Sequence, residues 1–270
     1  MIRKAAWPRC RPGAARRLVP WLIAGMTAGV PAASSAAPAA LPAAAADHLQ
    51  RTMAIEPSTP ISIDITEGAV EITGSTRRDV SVDIVRSGSH GADASRLPMT
   101  IEQTADGLHL SAVQPDEGKD PDLQTIVRIE APENAIFKSI QVFEGRIHLE
   151  NLHGTVSAEI MRGPIVADRV SGTLRCVGHV GDVTLTQARL TDGGLLRLRT
   201  FNGDVNLGLA ETPPNGRVLA VTFRGALTST LPLQMKDKFG PKFGEATLGR
   251  GQPVISIDVV YGDIHITAPH

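Results

Sequence analysis

Three aspartates follow glycine at recurring places, in Gly181-Asp182, Gly203-Asp204 and Gly262-Asp263. Stacked carboxylates of this kind bind calcium in nonapeptide β-roll proteins, which use several glycines and an Asp in each unit. Here one Asp follows one glycine, and Gly163 and Gly225 lack it. Turn chemistry, in which a short carboxylate bonds nearby backbone N–H groups, is sufficient to account for them. His148, His153, His179 and His265 have the chemistry for metal ligation or proton transfer. His148 and His265 fall at outward strand positions without a closely spaced partner, which reads as solvated strand histidine. Cys176 falls at an inward position and reads as a small core residue, not a nucleophile. The chain has no G-x-S-x-G, no H-E-x-x-H and no phosphate-binding loop. Its acids are scattered, whereas glycan cleavage needs carboxylates converging on one groove. Exposed aromatics for stacking on sugars are expected to be few, with aromatic residues at 3% of the chain. No catalytic, cofactor-binding or metal-binding residue is assigned, and no cofactor is expected.

One stretch breaks the surrounding pattern. Gln234 to Gly244 carries Lys236, Lys238, Lys242, Phe239 and Phe243. Such a segment has the composition to grip an anionic glycan or a membrane surface. The competing reading is a cap over an open end of the fold, with its phenylalanines pointing inward, and that reading is preferred.

The elements that position these residues follow from a repeat. One set of glycines falls at 145, 163, 181, 203, 225 and 262, and a second at 154, 172, 194 and 216. Each member of the second set precedes one of the first by nine residues, and the unit is 18 residues twice, then 22 twice. The extra residues sit at Gln187–Asp192 and Ala210–Asn215. Two and four residues after the first set stand Ile147, Leu149, Ile165, Ala167, Val183, Leu185, Val205, Leu207, Leu227, Ser229, Ile264 and Ile266, apolar except Ser229. The second set gives Val156, Ala158, Leu174, Cys176, Leu196, Leu198, Val218 and Ala220. Residues two apart share a strand face, so one face is core and the other is wet. A nine-residue strand and turn cannot bury its own apolar face, and stacking successive rungs does so. The fold class is therefore all-β, a β-solenoid or β-helix-like stack of short strands, with a rolled antiparallel β-sandwich as the alternative. Earlier in the chain, ISIDITEGAVEITG, DVSVDIV, GLHLSAV and QTIVRIEAP also read as strands. Residues 86–98 and 114–122 read as loops.

The first 17 residues hold six basic side chains and no acid, and Leu18 to Val30 is apolar before an Ala/Pro-rich stretch. This predicts a secretory signal peptide over 1–37, with cleavage possible as late as 46. Residues 38–57 read as an Ala/Pro-rich tether with a short helical turn around Asp47 to Ala54. The β-repeat domain spans 58–270, with N-terminal strands over 58–133 and the glycine-punctuated repeats over 134–270. Prolines interrupt the leader, so no stable membrane span is expected after cleavage. Without the leader's six basic residues, the 27 fall to 21 against 28 acidic ones, which disfavours nucleic acid as a partner. Only Cys176 then survives, so no internal disulfide forms.

The opening strand ISIDITEGAVEITG, the extended strand with its proline turn VRIEAPENA, repeats such as RTFNGDVNLGL and the closing LGRGQPVISIDVVYGDIHIT resemble the bacterial putative-adhesin family, over about residues 58–270. The resemblance implies an exported β-solenoid-like domain and transfers no catalytic residues. The function expected is a non-enzymatic cell-envelope or surface module, periplasmic or surface-exposed. It would bind or scaffold a protein or glycan ligand. A polysaccharide-active hydrolase or lyase on the same fold is the alternative.

Overall fold

A computed structural model describes residues 46–269 apart from 57, 90, 91, 115–119, 121, 238 and 239. The expected signal peptide, residues 38–45 and 57 of the tether, Lys238 and Phe239 lie outside the described residues. The described chain is almost wholly β, with one short 3-10 turn at Ala94–Arg96. Its strands are β1 (Ala46–Ala54), β2 (Pro60–Ser75), β3 (Asp79–Gly88), β4 (Thr100–Thr104), β5 (Gly107–Ala112), β6 (Leu123–Pro132) and β7 (Ile136–Glu150). The repeats supply β8 (Thr155–Arg162), β9 (Ile165–Asp168), β10 (Thr173–Val180), β11 (Val183–Ala188), β12 (Leu195–Asn202), β13 (Val205–Leu209), β14 (Gly216–Arg224) and β15 (Leu227–Ser229). The chain ends with β16 (Gln234–Asp237), β17 (Lys242–Leu248), β18 (Val254–Tyr261) and β19 (Ile264–Thr267).

Successive repeats pair in parallel, which decides for the solenoid over the antiparallel sandwich. Leu174 lies opposite Val156 and Leu196, and Val183 opposite Ile165 and Val205. Each rung holds two strands meeting at a corner glycine, and β2 and β7 each bend through such a corner as one long strand. The inward columns match the sequence register. Val205, Val183, Ile165 and Ile264 are fully buried, as are Leu196, Leu198 and Ala220. Ser229, the polar exception, is half-buried in β15 at the end of the stack, where its hydroxyl accepts from the Leu231 N–H at 3.0 Å.

The stacking order departs from the order in sequence. The last repeat, β18 and β19, lies between β12–β13 and β14–β15. Ile255 is opposite both Leu196 and Val218, and Ile264 is opposite both Val205 and Leu227. The excursion from Thr230 to Pro253 makes this possible. Within it β17 pairs antiparallel with β14, and β16 pairs antiparallel with β17, closing the end of that sheet. At the other end β1, β3, β4 and β6 make antiparallel pairings of their own. Both ends of the parallel stack thus carry antiparallel strands, which blunt the exposed edges.

Two expectations need correction here. Asp47 to Ala54 is not a helical turn but part of strand β1, antiparallel to β3 with Leu49 opposite Ile84. Good helix formers such as Leu49, Gln50 and Arg51 are overridden by an available sheet edge. The 234–244 segment covers an end strand as a cap should, but Phe243 does not point inward. It lies opposite Val221 on the outer face, with the Lys236 ammonium 5.3 Å from its ring centre.

Candidate functional site

The Gly-Asp corners use their carboxylates internally. Asp182 Oδ1 accepts from the Asp204 N–H at 2.8 Å, Asp204 Oδ1 from the Asp263 N–H at 2.7 Å, and Asp263 Oδ1 from the Ala226 N–H at 2.7 Å. Each aspartate satisfies the corner amide of the next rung. The exceptions then make sense. The rung before Asp182 has Pro164 at this position, with no N–H to offer, so Arg146 behind it has no such amide to serve. Ala226 lies on the outermost rung, with no amide beyond it. Asp204→Ala should therefore lower stability by about 1.5 kcal/mol in chemical denaturation, and Asp204→Asn should recover most of that because its carboxamide oxygen still accepts. Millimolar calcium should leave the melting temperature unmoved, since native-state binding would raise it.

The histidines do not meet. His179 bonds Glu159 at 3.0 Å, His153 bonds Ser171 at 2.7 Å, and His265 bonds Thr228 at 2.6 Å, while His148 stands on another rung. Among the described residues, no group of three or more His, Cys, Asp or Glu is placed to hold a metal. Cys176 is fully buried between Ala158 and Leu198, and burial pushes its thiol up to about 12, which removes it as a nucleophile.

The side chains that do come together were not singled out by the sequence. Alternation along each strand aims the residue two before every corner glycine outward. The register aligns these residues as Phe143, Met161, His179, Phe201, Val260 and Phe223, in that order across adjacent strands. Phe201 is 55% exposed and Phe223 59% exposed, and Phe143 and Met161 are also open to solvent. At ~4.8 Å per strand the column runs roughly 24 Å. Tyr261, one residue out of line, packs edge-to-face on Phe201 with ring centres 5.7 Å apart, and the Arg224 guanidinium lies 5.6 Å from the Tyr261 ring centre. Such contiguous apolar exposure marks an interaction surface more often than chance. The expectation of few exposed aromatics is thus corrected. The overall aromatic content is low, but the repeat brings Phe143, Phe201, Phe223 and Tyr261 onto one face. The signal lies two positions before each glycine of the first set, outside the positions +1 to +4 that carry the strand alternation.

At one end of this column lies a groove of about 430 Å³, lined by Asp64, Gln141, Phe143, Glu159, Met161 and His179 among others. Burial raises the Asp64 carboxyl above its ordinary value, opposed by His109 at 3.7 Å. Asp64, Gln141 and Glu159 occupy one outward column, on strands β2, β7 and β8.

No protein-family model matches the chain, and no curated protein matches it. Among solved structures it is similar to a putative cell adhesion protein from Clostridium sporogenes, at 12% identity and TM-score 0.38, over 83% of this chain and 100% of that one. It is also similar to a putative adhesin from Parabacteroides distasonis, at 12% identity and TM-score 0.23, over 82% of this chain and 97% of that one. A putative adhesin from Bacteroides fragilis matches at 13% identity and TM-score 0.28, with the same two shares of 82% and 97%. All three carry adhesion in their names. Among the described residues no helix is long and apolar enough to cross a membrane.

Proposed function

We propose that the chain is a non-enzymatic, exported, adhesin-like binding module of the bacterial envelope, and that it holds its ligand on the outer face of β7, β8, β10, β12, β18 and β14. The column of exposed Phe143, Met161, Phe201 and Phe223 carries this reading. A soluble fold with no partner for that face has no stability reason to place large apolar side chains there in register. The basic, apolar leader supports export, and the sequence resemblance supports the envelope as the place of work. The test is co-sedimentation of the purified chain with the isolated envelope fraction. Phe201→Ser with Phe223→Ser should reduce the bound fraction at least tenfold at an unchanged melting temperature. Asn206→Ser with His265→Ser, on β13 and β19 beyond the corner glycines, should leave it intact. Equal binding by both double variants would overturn the assignment of the face.

The groove beside the column favours a second reading, polysaccharide cleavage. Asp64 and Glu159 lie two strands apart, roughly 9.6 Å between backbones at ~4.8 Å per strand, and inverting glycosidases hold their carboxyls about 6.5–9.5 Å apart. Against this, Glu159 is engaged by His179 at 3.0 Å. Release of reducing ends from a bound polysaccharide, abolished by Asp64→Asn or Glu159→Gln, would establish the enzyme. Binding without release supports the module.

A further inference from the structure

The proposed binding face has a charge character opposite to that of the chain without its basic leader. Arg175, Arg197 and Arg199 are exposed on it, and among the described residues none of them forms an ion pair, although Asp258 stands opposite Arg199 on β18. Neighbouring arginines are otherwise held, Arg162 by Glu144 at 3.8 Å and Arg217 by Glu245 at 2.9 Å. Arg175 lies directly opposite Arg197 on the adjacent strand. Like charges facing one another across a sheet are destabilising, so this pair works against the fold unless an anion lies over it. Strand β12 presents Arg197, Arg199 and Phe201 on one face in alternation, at about 6.7 Å per step. Arg224, over the Tyr261 ring, adds a fourth cation beside the aromatic column.

Resting on the proposed function, we infer that the ligand is an extended anionic polysaccharide, lying along the column of exposed rings with its acidic groups on Arg175, Arg197 and Arg199. The weakly positive C–H face of a pyranose ring stacks on the electron-rich face of an aromatic side chain. Guanidinium forks match carboxylates and sulfates. A straight column of outward side chains at strand spacing, with phenylalanine rings at its two ends and at Phe201, suits a linear repeating chain. An acidic protein partner would instead call for an apolar centre depleted of charge inside a polar rim. Here Arg199 stands one outward step from Phe201 on β12, so cations lie beside the rings within the face.

The test is titration calorimetry of the purified chain with polygalacturonate and with heparin, with fully methyl-esterified polygalacturonate as the neutral counterpart. Polyglutamate and oligothymidylate supply negative charge without pyranose rings. Binding to at least one anionic polysaccharide is expected, at least tenfold tighter than to the ester, polyglutamate or oligothymidylate, and weakening with added salt. Arg197→Gln with Arg199→Gln should cost at least tenfold, as should Phe201→Ala with Phe223→Ala, each at an unchanged melting temperature. No binding to either polysaccharide, equal binding to the ester, equal binding to polyglutamate or oligothymidylate, or indifference to the arginine variant would overturn the inference. If envelope sedimentation still depends on Phe201 and Phe223 in that case, the binding face stands and only the ligand class falls. If that dependence is lost too, both readings fall.

Discussion

Val205→Asp should unfold the domain or destabilise it by more than about 4 kcal/mol, while Asn206→Asp should stay within about 0.5 kcal/mol of the wild type. The two residues are adjacent in β13. Val205 is fully buried between Val183 and Ile264, whereas Asn206 faces outward between Thr184 and His265. A carboxylate at 205 would have no partner among aliphatic side chains and would lose its hydration. At 206 it would keep most of its contact with water. Denaturation midpoints of the purified variants measure the difference. Equal tolerance, or the reverse order, would mean a one-residue slip in register, which exchanges the two faces.

The second large effect belongs to the corner glycines. Gly181 has φ +139°, and a Cβ built there would collide with the carbonyl oxygen of Gly163 on the neighbouring rung. Gly193, in a loop, has φ +76° and open space around the missing Cβ. Gly181→Ala should therefore lower stability by more than about 3 kcal/mol, combining backbone strain with a clash between two rungs that cannot part without breaking their ladder. Gly193→Ala should cost about 1 kcal/mol, from strain alone. Thermal or chemical denaturation of the pair separates the two contributions. Similar losses in both would show that the corners do not stack as described.

How much of this was legible in the residues depends on what kind of interaction set each feature. Burial of Ile165, Val183, Val205 and their equivalents was legible because side-chain direction along a strand is fixed by a period of two, whatever the partner strand. The insertion of β18 between β12 and β14 was not. Both repeats carry the same apolar alternation, so either fits against β12, and the choice is made by β17, which pairs with the other edge of β14. One trace of it was present in the sequence. Ala226 stands where Asp182, Asp204 and Asp263 stand in other rungs, as the outermost position allows. The strand at Ala46–Ala54 was hidden by its composition, which favours helix until the edge of β3 is available. The aromatic column was hidden differently. Phe143, Phe201 and Phe223 are far apart in sequence, and only the rung register brings them to one face. Arg175, Arg197 and Arg199 likewise gain meaning from that face, where Arg175 meets Arg197 and only Arg199 has a carboxylate, Asp258, opposite it.

The binding face is tested most directly by hydroxyl-radical footprinting of the chain free and bound to the isolated envelope fraction, because Met, Phe, Tyr and His side chains all report their exposure by oxidation. Met161, Phe201, Phe223 and Tyr261 should be protected on binding. His148 and His265, beyond the corner glycines on β7 and β19, should oxidise at the same rate in both states. Protection of His148 and His265 with the four column residues unchanged would contradict the assignment of the face.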